Sequence, residues 1–179
     1  MGMSRSEEEQ VVLVNERDEE LGTMEKMEAH RRGALHRAFS VFLFDAQGRL
    51  LLQRRASGKY HSADLWTNTC CSHPRPGEEV MVAARRRLRE EMGIDRDLTW
   101  QFNFIYRAEL DHGLSEYELD HVLFGSFSDD PSPDRNEADA WRCLSLADLE
   151  QEVRHSPERF TVWLLTCLPQ VKEKWPVGH

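Results

Sequence analysis

The chain has 179 residues, 40% hydrophobic and 31% charged, enough for one globular domain with a core of its own. Its formal net charge of −9 argues against a general nucleic-acid or anionic-membrane binder, while leaving room for a local basic pocket that takes phosphate. No apolar run reaches the length of a membrane span, and the opening MGMSRSEEEQ has neither the apolar stretch of a secretory signal nor the character of a transit peptide, so a cytoplasmic location is expected.

In chain order, residues 1–10 are expected to form a flexible acidic tail and residues 11–179 a single domain. VVLVN at 11–15 is a short strand candidate, Asp18 to Gly22 a turn, and a polar segment carrying Lys26 and His30 follows. Leu35 to Phe44 is apolar and rich in Phe and Val, which predicts a strand. The turn Asp45-Ala46-Gln47-Gly48 leads into Leu50-Leu51-Leu52, the return of a hairpin. Residues 56–64 read as polar loop. TNTCCSHPRPGE at 67–78 holds two prolines and a glycine and cannot be a long regular element.

Met81, Ala84, Leu88 and Met92 recur at helical spacing, predicting a helix from about Glu78 to Met92 that stops at Gly93. Residues 98–108 and 116–127 read as two strands joined by Asp111-His112-Gly113, and 129–137 as a loop. Trp141 to Leu144 is a last strand candidate. Ser145 and Ser156 are predicted N-caps of two closing helices, the second with Pro157 at its first position. This order predicts an α/β fold, a mixed sheet covered by helices on both faces.

Three segments sit uneasily with local rules. Glu90 and Glu91 lie in the last turn of the central helix, against its negative pole, at ~0.3–1 kcal/mol each. Arg86 and Arg87 soften this, and either a solvated charged face or a carboxylate aimed at a cation accounts for it. In SEYELDHVLF, strand alternation puts Glu116, Glu118 and Asp120 on one face and Tyr117, Leu119 and His121 on the other. That face is either exposed or shared with a cation that relieves the repulsion. Cys71-Ser72-His73-Pro74 is either a reactive thiol–imidazole pair or ordinary loop chemistry. Cys70 beside it is expected to be a buried thiol, and Cys143 and Cys167 reduced thiols, since the spacing matches no zinc ribbon. His30, His36, His73, Glu116 and Glu118 together offer three nitrogens and two carboxylates, a set suited to Mn²⁺, Fe²⁺, Co²⁺ or Zn²⁺; spacing alone does not bring them together.

The helix region resembles the Nudix box, with Glu78, Arg86, Leu88, Glu90, Glu91, Gly93 and Ile94 at matching positions. Ser72 stands where the box has its first glycine, and Arg87 where it has its first helical glutamate. TNTCCSHPRPGE resembles the TNxxCxHP signature of the type I isopentenyl-diphosphate isomerases. GTMEKMEAH at 22–30, LHRAFSVFLF at 35–44, LLLQRRASGK at 50–59 and YELD within 115–120 are similar to the same family, from about residue 11 to about 168.

The resemblance implies a Nudix-like α/β/α sandwich and the isomerisation of isopentenyl diphosphate to dimethylallyl diphosphate through a tertiary carbocation. It implies His30, His36, His73, Glu116 and Glu118 as ligands of one divalent transition metal, Mn²⁺ or Zn²⁺. Cys71 and Glu118 are then the paired acid–base groups, with Tyr106 assisting near Glu118. Glu91 and the backbone carbonyl of Cys71 hold a Mg²⁺ that arrives with the diphosphate. Lys26, Arg55, Lys59 and Arg87 contact the diphosphate, and Trp163 faces the hydrocarbon end. The expected partner is a small isoprenoid diphosphate, with no nucleic acid, and the chain acts as a monomer or homodimer. A Nudix hydrolase and a catalytically silent ligand-binding module are the competing expectations.

Overall fold

In a computed structural model that describes residues 10–175, the elements run β1 (Gln10–Val14), β2 (Glu20–Glu25), α1 (Lys26–Arg32), β3 (His36–Phe44), β4 (Leu50–Arg55), β5 (Trp66–Thr67), β6 (Cys70–Ser72), α2 (Val80–Met92), β7 (Thr99–Glu109), β8 (Ser115–Ser126), β9 (Ala138–Leu144), α3 (Leu146–His155) and α4 (Val162–Lys174). The acidic tail expected over residues 1–10 lies outside the described residues, except Gln10, which opens β1.

β3 is the hub of a nine-stranded mixed sheet. One edge pairs in parallel with β8 along the whole strand. The other edge is divided between β1 at Leu13–His36, β6 at residues 39–41 and β4 at the single pair Phe44–Leu50. The expected β3–β4 hairpin is therefore closed only at its turn. Beyond it β4 leaves β3 and pairs with β5 and β9.

Both faces of β3 are buried, which is why the strand reads as a continuous apolar run rather than an alternation. Phe39, Val41 and Leu43 pack with Ala83, Ala84, Leu88 and Met92 of α2. Phe42 and Phe44 pack on the opposite face with Leu146 and Leu149 of α3 and Leu164, Leu168 and Val171 of α4. Helices thus cover both faces, giving the α/β/α sandwich. α2 ends at Gly93, whose φ of 67° is the left-handed value such a stop requires; a Cβ there would sit 2.9 Å from the Ser132 carbonyl oxygen. No helix among the described residues is long and apolar enough to cross a membrane.

Three local expectations are corrected. The polar segment at Lys26 is a helix, α1, capped by Glu25, whose carboxylate accepts from the N–H groups of Met27 and Glu28 at 2.9 Å each. Gly22 lies within β2 rather than in the turn, which falls earlier, at Glu16-Arg17, and closes on Asp18 at φ 63°. Ser145 does cap α3, its hydroxyl accepting from the Asp148 N–H at 3.1 Å, but Ser156 precedes only a 3-10 turn, Pro157–Arg159. The last helix starts after Thr161.

Candidate functional site

The face of β8 that carries Glu116, Glu118 and Asp120 continues as Val122 and Phe124, and the matching face of β3 runs His36, Ala38, Ser40, then Phe42 and Phe44. Parallel pairing sets His36 opposite Glu118 and Ala38 opposite Asp120. One sheet face is thus apolar under α3 and α4 and polar at its other end. All three carboxylates are buried, so the exposed-face alternative for this strand is excluded.

Separate elements bring imidazoles to that polar end. His30 comes from α1, with Nδ1 2.6 Å from the Lys26 carbonyl oxygen and Nε2 3.2 Å from Glu116 Oε1. His36 opens β3, with Nδ1 2.8 Å from the Ala34 carbonyl oxygen. Its Nε2 lies 3.2 Å from Glu118 Oε1 and 3.2 Å from His73 Nε2, while His73 Nε2 lies 2.9 Å from the same carboxylate oxygen. Glu118 Oε2 accepts the Tyr106 hydroxyl at 2.7 Å.

This donor set suits a divalent cation. Backbone carbonyls engage Nδ1 of His30 and His36, fixing the tautomer that leaves each Nε2 lone pair facing the carboxylates. The Nε2 atoms of His36 and His73 and Glu118 Oε1, about 3 Å from one another, have the spacing of atoms about 2.1 Å from one shared ion. Charge agrees. Burial and the neighbouring Glu118 push Glu116 up to about 8, while the burial of Glu118 is outweighed by its contacts with Glu116, His36 and His73, which hold it well below the usual carboxylate range. A buried pair that cannot readily ionise twice is relieved by a bound positive charge. His30, His36, His73 and Glu118 form one group able to hold a metal, and His30, His61 and Glu116 another.

A second cluster in the cavity centres on Cys71, which β6 sets beside Ser40 of β3. Its thiol lies 3.1 Å from Asn68 Oδ1, accepts the Trp163 indole N–H at 3.1 Å and is 3.6 Å from the Ser40 hydroxyl. Burial, reinforced by Asp120, pushes it up to about 12, so the sulfur keeps its proton at neutral pH. Ser40 also donates to Asp120 Oδ2 at 2.8 Å.

Cys71, Glu118, Tyr106 and Trp163 share one cavity of about 450 Å³ with the expected diphosphate contacts Lys26, Arg55, Lys59 and Arg87. Arg87 pairs with Glu91 at 2.7 Å and Glu90 at 2.6 Å, which neutralises the crowded end of α2. Lys59 pairs with Glu137 at 2.7 Å, and Glu137 also lies 3.3 Å from Arg87. Arg55 crosses the Trp163 ring at 5.3 Å, and Lys26 the Tyr60 ring at 4.7 Å. The buried Nε atoms of Arg55 and Arg87 have no hydrogen-bond partner. Glu91 stands with these cations, accepting from Gln53 at 3.0 Å, and belongs to neither imidazole group.

Among the side chains at this site with no role assigned from the sequence are His61, Asn68, Asp120 and Glu137. Asp120 was visible through strand alternation with Glu116 and Glu118. His61 and Glu137 lie in segments with no period to mark them. Cys70 and Cys167 are buried in the two core clusters, and the four thiols form no disulfide.

A NUDIX domain model matches residues 34–164. The chain is 55% identical over 164 residues to the isopentenyl-diphosphate Delta-isomerase 2 of Aromatoleum aromaticum, covering 92% of this chain and 87% of that one. It is 48% identical to the isopentenyl-diphosphate Delta-isomerase of Pectobacterium atrosepticum, covering 93% of each. Among solved structures, DR0079 from Deinococcus radiodurans superposes with a TM-score of 0.75 at 23% identity, over 92% of this chain and 99% of that one. A MutT protein from Methanosarcina mazei gives 0.65 at 16% identity, over 78% and 94%. At these identities the two structures bear on the fold alone.

Proposed function

The chain belongs to the NUDIX-domain isopentenyl-diphosphate Delta-isomerases, and from that membership we propose that it interconverts isopentenyl and dimethylallyl diphosphate with Cys71 and Glu118 as its two proton-handling groups. The observation that carries this assignment is a single cavity lined by a protonated thiol on one segment and a carboxylate on another, with cations beside them.

The reaction adds a proton to the terminal alkene carbon and removes one from the carbon nearer the diphosphate. Between the two steps the substrate is a tertiary carbocation. Because both directions pass through this intermediate, each group gives a proton in one direction and takes one in the other. Tyr106 donates to Glu118 Oε2 and fixes the plane of that carboxylate. The indole of Trp163 faces the cavity with its N–H on Cys71; its ring attracts a cation by about 0.5–2 kcal/mol, and it excludes water that would trap the intermediate.

His30, His36, His73, Glu116 and Glu118 are proposed to hold one divalent ion, Mn²⁺ or Zn²⁺. Bound there, that ion draws charge from Glu118 and lowers its proton affinity. Glu91 and the Cys71 carbonyl are proposed to take a Mg²⁺ carried in with the diphosphate. Arg55 and Arg87 offer buried N–H groups that lack acceptors, which a diphosphate supplies; Lys26 and Lys59 add point charges. This anchorage holds the five-carbon end between the proton-handling groups. Arg87 replaces the glutamate of the hydrolase box, which turns a metal-binding position into an anion-binding one.

Phosphorus NMR of the metal-loaded chain with isopentenyl diphosphate tests the reaction class. Isomerisation leaves the diphosphate intact, and release of a phosphate product instead identifies a hydrolase.

A further inference from the structure

His61 comes from the irregular segment between β4 and β5, yet it is almost fully buried, at 3% exposure. Its Nε2 lies 2.9 Å from Glu116 Oε1, the same oxygen that faces His30 Nε2 at 3.2 Å. Its Nδ1 lies 3.0 Å from the Ser62 hydroxyl. When Ser62 donates to Nδ1, the ring proton is on Nε2 and points at the carboxylate. The backbone carbonyl of His61 accepts from Arg55 Nη2 at 3.1 Å, and the ring packs edge-on to Trp163 at 5.9 Å.

The segment is held in this shape at some cost. Ser62 and Asp64 both have left-handed backbones, at φ 51° and 62°, which non-glycine residues seldom adopt. The Ser62 N–H donates to Asp111 at 3.3 Å, and the Asp64 N–H to the Arg55 carbonyl oxygen at 3.0 Å. Strain over-determined by such contacts is characteristic of a segment that presents a side chain.

We propose that His61 is a positioning residue that clamps Glu116 from outside the metal cage and couples that carboxylate to the Arg55–Trp163 wall of the substrate cavity. This rests on the cage assignment made above. His61 is not the nucleus of a second metal site. The group His30, His61 and Glu116 shares His30 with the first group, and with Nδ1 engaged by the Lys26 carbonyl His30 has only Nε2 to offer, so the two groups cannot each hold an ion through it. Outer-shell partners of this kind raise metal affinity by about 10–100-fold without touching the ion.

The test compares Mn²⁺ and Zn²⁺ affinity, by chelator competition on the metal-stripped full chain, for the unaltered protein, His61→Leu and His61→Gln. Leucine fills the space without a donor, and glutamine restores one. His61→Leu should bind metal about 10–100-fold more weakly, and His61→Gln within a few-fold of the unaltered chain. X-ray absorption should count the same number of imidazole ligands in all three. Equal affinity for His61→Leu and the unaltered protein overturns the proposal. Loss of one imidazole in the leucine variant also overturns it, because His61 is then a ligand. An unaltered chain that binds neither metal overturns the cage itself, a failure visible before any substitution is made. Should the leucine variant not fold, glutamine at unaltered affinity with His61→Asn weakened supports the clamp, and equal affinity for these two overturns it.

Discussion

Tyr106 and Glu118 face each other across β7 and β8, and the phenol hydroxyl donates to one carboxylate oxygen at 2.7 Å while the other oxygen faces His36 and His73. Cross-strand register therefore divides one carboxylate between two tasks. Oε1 faces the imidazoles, and Oε2 is steadied by a phenol that burial keeps protonated.

Tyr106→Phe removes that donor without changing the sheet. A hydrogen bond to a charged group contributes about 1.5–3 kcal/mol, so kcat should fall roughly 10–100-fold while bound metal, measured by elemental analysis, stays the same. Unchanged kcat would show that Oε2 needs no support.

Removing the metal should destabilise the fold as well as stop the reaction. Three imidazoles and two buried carboxylates then face one another without a shared cation. A ligand at a thousandfold excess over its Kd contributes about 4 kcal/mol, which corresponds to roughly 10 °C in Tm for a chain of this size. Calorimetry with and without chelator measures the shift, and identical transitions would count against the cage.

Arg87 serves two purposes, and they separate. Arg87→Gln leaves Glu91 buried without its cation, a loss of ~3–5 kcal/mol when one partner of such a pair is removed. It should also weaken binding of inorganic diphosphate, measured without Mg²⁺, by tenfold or more. Adding Glu91→Gln should restore Tm but not the diphosphate affinity. Recovery of both would make Arg87 a structural counter-ion only.

Glu78 supplies a pH dependence away from the cage. Burial opposes its ionisation, but the Arg86 guanidinium at 2.8 Å and the Arg75 N–H at 3.0 Å outweigh it and hold the carboxyl below its ordinary value. A folded-state value below the unfolded one, about 4.3, stabilises the fold above that pH and is lost as pH falls through the folded value. The Tm gap between the unaltered chain and Glu78→Gln should be full at pH 6–7 and shrink below about pH 4. A gap independent of pH contradicts the ion pair's role.

What the sequence disclosed follows from period and length. β8 alternates with a period of two, so the shared face of Glu116, Glu118 and Asp120 was readable before any coordinate. α2 is thirteen residues long with buried Ala84, Leu88 and Met92 at helical spacing, and it was readable too. α1 was not: it has seven residues, buries only Ala29 and His30, and is capped by a glutamate rather than a preferred capping residue. The pairing of His36 with Glu118 joins positions far apart in the chain, and it exists because both strands lie side by side in the sheet. His61 and Glu137 reach the cavity from irregular segments, where neither periodicity nor composition marks them. Ser156 followed by Pro157 has the chemistry of a helix start, yet the chain turns once there, and Thr161 is where the helix begins.

The most direct measurement is proton exchange. Metal-loaded protein is incubated with isopentenyl diphosphate in heavy water, and the recovered dimethylallyl diphosphate is read by NMR. Deuterium should enter the allylic product with the unaltered chain, Cys71→Ala should abolish it with metal still bound, and Glu118→Gln should abolish it as well. Full deuterium incorporation in either variant would contradict a proton relay across this cavity.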